Sequence, residues 1–193
     1  LAREVASQPT TDDKPQSKVT AYNEAKTAAE EAKKAAQKVI DNDNATAEEV
    51  AKEVEKVNKA KEALKAAETA VTEAATTAAK TQLAGDKAKL DEEVSTEGKT
   101  PESIAAYNEA KEAAQTAVDE AKAAAKAALD KGDDAKATEV QAAQDKVTAA
   151  QRKLDEAKAK LVDKADKTAL TNANNDLARE VASQPTTDDK PQS

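Results

Sequence analysis

The chain of 193 residues contains no His, Cys, Met, Trp or Phe, so it offers no imidazole or thiolate for zinc, haem or an iron–sulfur cluster, and neither a histidine base nor a thiol nucleophile. Its formal net charge of −8 opposes binding to nucleic-acid phosphates. No run of 18 apolar residues is present to span a membrane.

The chain opens on LAREVASQPTTDDKPQS, and the same residues close it at 177–193. A compact domain has no need to duplicate its first residues, so the chain reads as one period of 176 residues followed by the start of the next. Pro9 and Pro15 both forbid helix continuation and predict a semi-extended surface loop, not a recognition segment or protease site. At the C-terminal copy no helix follows, so 185–193 is expected to fray.

A helix around AYNEAK (21–26) leads to the turn IDNDNAT. The acidic DNDN at 41–44 invites a calcium reading, but an EF-hand loop needs Gly at its sixth position and Glu at its twelfth, where this chain has Thr46 and Lys52. A turn followed by a helix cap is the better reading. Thr46 with Glu49 forms a capping-box pattern, and Val50, Val54, Val57, Leu64 and Val71 mark the buried side of the helix that follows.

Between Thr46 and Val94 the only breaker is Gly85, which costs about 1 kcal/mol in a helix and does not end one. One helix of about 48 residues, roughly 72 Å long, is therefore expected, continuing from one module into the next. Thr100, Pro101 and Glu102 then supply a hydroxyl cap, a proline at the first helical position and a carboxylate near the positive helix end. Ile104, Tyr107, Ala110, Ala114, Ala117, Ala121, Ala124 and Ala128 recur at threes and fours along the helix they open. Gly132 and Asp133 interrupt it. From Asp134, the residues Val140, Ala143, Val147, Ala150, Leu154, Ala157 and Leu161 form a second seam. No Gly or Pro occurs from there to Val181, which again predicts helix running on into the next module.

The 176-residue period is itself double. AYNEAK recurs at 106–111; Val50, Val57, Leu64 and Val71 match Val140, Val147, Leu154 and Leu161; and KTQLAGDKAKLDEEV from Lys80 matches KTALTNANNDLAREV from Lys167. The fold class expected is all-α: tandem three-helix bundles joined end to end by long shared helices in an elongated rod. The bundle is drawn with a short helix over 80–94, an antiparallel partner over 101–129 and a third helix over 135–162. The domains are a diverged first module at 1–79, N-terminally incomplete, a second at 80–166, and the start of a further repeat at 167–193. Leu, Ile and Val number only 9, 2 and 13, so the core is thin and alanine-rich. Its anchors are Tyr22, Val50, Val57, Leu64, Val71, Leu83, Leu90, Ile104, Tyr107, Val140, Val147, Leu154 and Leu161. Both tyrosines read as core anchors with the hydroxyl at the rim, not as ligand contacts.

The segments KTPESIAAYNEAKEAAQTAVDEAK, DDAKATEVQAAQDKVTAAQRKL and VDKADKTALTNANNDL resemble the FIVAR modules of Gram-positive surface proteins of the Ebh type. The first unit departs from the pattern, with Lys14-Pro15-Gln16-Ser17 in place of Thr-Pro-Glu-Ser. The resemblance implies three-helix modules strung in arrays at the bacterial cell surface, attached to the wall through other parts of the protein. It also implies fibronectin binding by some members, and carries over no catalytic residues.

No enzymatic activity, cofactor or metal is expected. The pairs Glu48–Lys52, Glu55–Lys59 and Asp163–Lys167 are spaced as solvated i,i+4 ion pairs, and no apolar pocket is available to shift them. The leading function is a structural stalk whose modules contact chiefly their neighbours in the same chain. The second is a repeated low-affinity module for a host matrix protein such as fibronectin, acting through avidity. A third is an Ala/Lys/Glu-rich stress protectant, disordered until dried, which circular dichroism would exclude if helicity melts cooperatively in buffer. The chain is expected to be a monomer.

Overall fold

The computed structural model describes residues 8–183. They form six α-helices: α1 (Gln16–Ile40), α2 (Ala47–Glu73), α3 (Thr77–Lys89), α4 (Pro101–Leu129), α5 (Ala137–Lys158) and α6 (Thr168–Ser183), with a 3₁₀ turn at Gly132–Asp134.

The helix starts follow from their caps. At α2 the Thr46 hydroxyl accepts the Glu49 N–H at 3.2 Å, while the Glu49 carboxylate accepts the Thr46 N–H at 2.8 Å, a closed capping box. Hydrogen bonds from the Thr46 backbone and then its hydroxyl hold the Glu49 carboxyl below its ordinary range. At α4 the Thr100 hydroxyl accepts the Ser103 N–H at 3.3 Å, and Pro101 sits where its missing N–H costs nothing. The DNDN segment is a turn: Asn42 Oδ1 accepts the Asn44 N–H and the Asn42 carbonyl accepts the Ala45 N–H, both at 3.0 Å.

Helices α3, α4 and α5 close a three-helix bundle. Leu83 of α3 and Leu90 at its C-terminal cap pack with Val118, Ala121 and Ala125 of α4 and with Val140, Ala143, Val147 and Ala150 of α5. Leu83, Ala121, Ala125 and Ala150 are wholly buried. Alanines let the helix axes approach closely, so one leucine fills a space that their methyl groups only line. Polar contacts set the register of α3. Gln144 Nε2 donates to Asp86 Oδ2 at 2.8 Å from α5, and Lys122 of α4 pairs with Asp91 just beyond the end of α3.

Helices α1 and α2 form a hairpin with a smaller core of Tyr22, Ala29, Leu64 and Val71. Helix α6 is exposed at every residue, including Leu170, Leu177 and Val181.

The long shared helices expected over 46–94 and 134–181 are not formed. The first is broken at 74–76, where Ala74 turns out of the helix at ψ 140° and the Ala75 N–H donates to the Ala135 carbonyl at 2.8 Å. The Thr76 hydroxyl restarts it by accepting the Ala79 N–H at 3.1 Å. The second stops after Lys158 and resumes at Thr168. Gly85 lies inside α3 and does not interrupt it. The domain boundary expected at 79/80 falls within α3, three residues past its start, and the fraying expected over 185–193 lies outside the described residues.

Candidate inter-module junction

The segment ahead of α1 binds both ends of the break between α2 and α3. Asp13 takes φ +56°, a left-handed conformation that Asp tolerates better than most residues. Its carbonyl accepts the Thr77 N–H at 2.9 Å and its carboxylate accepts the Ala78 N–H at 2.8 Å. With the Thr76 hydroxyl on Ala79, the first three N–H groups of α3 are all satisfied, and a negative charge sits at the positive end of the helix. The next residue does the opposite at the other helix. Lys14 Nζ donates to the carbonyls of Thr72 at 3.0 Å and Ala74 at 2.6 Å, placing a cation on the C-terminal end of α2. Two adjacent residues of opposite charge thus hold two helix ends of opposite polarity.

The turn between α4 and α5 completes the junction. Glu73 pairs with Lys136 at 2.9 Å, and Ala74 and Lys136 form an isolated antiparallel bridge. Lys80 Nζ donates to the Gly132 carbonyl at 3.1 Å and lies 3.6 Å from Asp133. Asp133 accepts the Ser17 hydroxyl at 2.7 Å, and Lys18 pairs with Asp134 at 2.5 Å. The Ser17 hydrogen bond, followed by the Lys80 and Lys18 charges, holds the Asp133 carboxyl below its ordinary range.

The backbone part of this arrangement recurs one unit later. Gly98 and Lys99 stand where Asp13 and Lys14 stand relative to Tyr107 and Tyr22. Gly98 takes φ +73°, and its carbonyl accepts the Lys164 N–H at 2.8 Å. The Thr100 N–H donates to the Val162 carbonyl at 2.8 Å, a bond that Pro15 cannot make at the first junction. Lys99 pairs with Asp163 at 2.6 Å, so Asp163 is not in the helical pair with Lys167 expected from spacing; it lies ahead of α6. The expected Glu48–Lys52 and Glu55–Lys59 pairs form at 2.7 and 2.8 Å.

A second feature is an open apolar groove of about 280 Å³ between α1 and α2, lined by Ala36, Val39, Ile40, Val50, Val54 and Val57, with Glu53 at its floor. Glu53 is 8% exposed; one carboxylate oxygen accepts Lys56 Nζ at 3.0 Å, and the other is buried without a hydrogen-bond partner among the described residues.

The structure distributes the expected core anchors unevenly. Tyr22, Leu64, Val71, Leu83, Leu90, Tyr107, Val140 and Val147 are buried, while Val57, Ile104, Leu154 and Leu161 are half-buried. Val50 is 45% exposed and Val54 is 54% exposed, so neither is a core residue here. Their periodicity placed them on the correct face of α2, but no third helix covers that face among the described residues. Lys111 Nζ lies 6.0 Å from the Tyr107 ring centroid. Burial first, and then the Glu68 charge, pushes the Tyr22 hydroxyl up from its ordinary value. Periodicity missed Asp13 and Lys14, which lie in a loop, and Asp133, which lies in the 3₁₀ turn; for the first two, the adjacent Asp-Lys just before a helix was the available signal.

A family model for the FIVAR domain matches residues 1–65 and again 86–162, well over half of the chain. Among curated proteins, the extracellular matrix-binding protein ebh of Staphylococcus aureus strain MW2 is 34% identical over 111 residues, covering 56% of this chain. EbhB of strain Newman is 36% identical over the same length. The chain spans only 1–2% of the length of these relatives. A solved chain from work on Embp-mediated adherence of Staphylococcus epidermidis to fibronectin is 39% identical. It covers 53% of this chain and 64% of its own, with a TM-score of 0.49. Matched twice along its length, the chain belongs to the FIVAR domain family.

Proposed function

We propose that this chain is a spacer segment of a bacterial surface adhesin, in which successive modules stack through the junction described above and project a distal binding region from the cell wall. The observation that carries this reading is the recurrence of one junction in two units with different side chains. Asp13 and Gly98 both turn through positive φ and both present their carbonyl to the first residues of the segment leading onward. A contact reproduced at each boundary permits length to change by copy number alone, since each module touches chiefly its neighbours. The verbatim recurrence of 1–17 at 177–193 supports such copying. The modules are assigned as the α1–α2 unit, the α3–α5 bundle and a further unit beginning at α6.

A second reading is favoured by the relatives, whose names describe them as matrix-binding. In it, each module is a weak site for a host matrix protein and the array multiplies it. Titration of immobilised fibronectin with the chain separates the two. The spacer reading predicts no saturable binding beyond that of a helical control of the same composition; saturable binding lost on scrambling residues 8–15 would favour the adhesive one.

A further inference from the structure

We infer that the joint between the α1–α2 hairpin and the α3–α5 bundle is a hinge held shut by a salt-sensitive clasp, so that ionic strength sets how freely the two units pivot while both stay folded. Among the described residues, no cluster of buried apolar side chains spans this joint. Tyr22, Ala29, Leu64 and Val71 form the hairpin core, the bundle core is a separate cluster, and the helices pack extensively only within each unit. Beside the break, Ala75 and Ala135 are buried but belong to the bundle, and Ala74 joins neither cluster.

Two sets of contacts cross the joint, and they differ in kind. The first lies at the pivot, where Ala74 and Thr76 are extended at ψ 140° and 155°. There Asp13 holds the Thr77 and Ala78 N–H groups, and the Ala75 N–H donates to the Ala135 carbonyl. The second set grips the α4–α5 turn from both helices of the hairpin. In the first turn of α1, Ser17 donates to Asp133 and Lys18 pairs with Asp134, while Glu73, the last residue of α2, pairs with Lys136. The Asp134 side chain is 80% exposed, and those of Asp133, Glu73 and Lys136 are about half exposed. Exposed ion pairs contribute little singly, and they weaken as the screening length falls from about 10 Å at 0.1 M salt to about 3 Å at 1 M. The backbone bonds at the pivot carry no net charge and are spared.

The next boundary in the chain separates the two sets. Its backbone bonds at Gly98 and Thr100 repeat the pivot. Counted from Tyr107 and Tyr22, however, Glu102 and Ser103 stand where Ser17 and Lys18 stand, so neither clasp donor of α1 has a counterpart of its own kind. The Ser103 side chain is instead turned inward: the residue is 6% exposed, and its hydroxyl donates to the Thr100 carbonyl at 2.9 Å. The hinge therefore recurs without this clasp, which marks the clasp as an addition to the hinge and not a requirement for building it.

The clasp is a property of a single chain and goes beyond the spacer reading, so its failure would leave the test of that reading untouched. It is tested by single-molecule energy transfer between dyes on Ala51→Cys in α2 and Lys153→Cys in α5, both exposed positions in a chain with no native cysteine. Between about 0.05 and 1 M sodium chloride, the transfer distribution of this labelled chain is expected to broaden and its mean to shift, at constant helix content by circular dichroism. Adding Lys18→Ala with Glu73→Gln removes one member of each ion pair without altering the net charge. At low salt this variant is expected to show the distribution that the labelled chain shows only at high salt, and to respond little to further salt. A labelled chain whose distribution ignores salt, a variant that matches it at low salt or responds as strongly, or a shift that accompanies loss of helix would overturn the inference.

Discussion

Leu83 and Leu170 occupy corresponding places in two repeats and have opposite environments, so the same truncation should cost much at the first and little at the second. Leu83 is wholly buried and is the largest side chain that α3 places between α4 and α5. Leu→Ala at buried sites costs about 2.7–5 kcal/mol, rising with the cavity that survives relaxation. The core cluster that holds Leu83 is rich in alanine, with Ala75, Ala121, Ala125, Ala128, Ala135, Ala143 and Ala150 all buried in it, and their methyl groups have no rotamers with which to fill a space. Little relaxation is available, and Leu83→Ala is expected to cost about 3–4 kcal/mol. For a unit of this size each kcal/mol corresponds to about 4–8 °C, so the midpoint should fall by roughly 12–30 °C. Leu170→Ala, at 71% exposure, should shift stability by no more than about 0.5 kcal/mol. Thermal and urea unfolding by circular dichroism at micromolar chain concentration measures both without association between copies. A Leu83→Ala loss below about 1 kcal/mol, or equal losses at both sites, would refute the packing argument.

Three further outcomes are expected. Asp13→Ala removes the carboxylate from the start of α3 and strains a left-handed position, costing about 1–2 kcal/mol in urea unfolding, whereas Asp13→Asn retains most of the stability; equal losses would exclude the cap. Glu53→Ala, which installs the residue found at the corresponding Ala143, removes a buried oxygen without a partner. It should raise stability by about 1 kcal/mol, and a large loss on calorimetry would show that Glu53 is satisfied in solution. The pH profile follows from carboxyls held below their reference values of 3.8 for Asp86 and Asp133 and 4.5 for Glu49 and Glu139. Groups depressed on folding stabilise above their unfolded values and lose that contribution as pH falls through the folded ones. The melting temperature should therefore be level above about pH 5 and decline through the range beneath the reference values; a rise on acidification would reverse the assignment.

Much of the helical content was legible because its signals are local. Thr100 with Pro101, and Thr46 with Glu49, start helices through side chains within three residues of the backbone groups they cap. Spacing also put Tyr22, Leu83, Tyr107 and Val147 on buried faces. The break at 74–76 was not legible. Its segment EAATTAAK contains neither Gly nor Pro, and what ends the helix is a set of bonds from residues distant in sequence, Asp13 and Lys14 on one side and Ala135 on the other. Val50 and Val54 failed for a related reason. Periodicity tells which face of a helix is apolar, whereas burial also depends on whether another helix lies against it. The candidate junction was the least legible part, since it is built from loop charges whose meaning appears only when helix ends converge.

The central claim is that modules add end to end through a reproducible junction, and small-angle scattering from chains of one, two and three 176-residue periods tests it most directly. At concentrations low enough to suppress contacts between chains, the maximum dimension should increase by a constant increment with each added period. A dimension that levels off between two and three periods would mean that the modules fold back on one another, and would contradict the account.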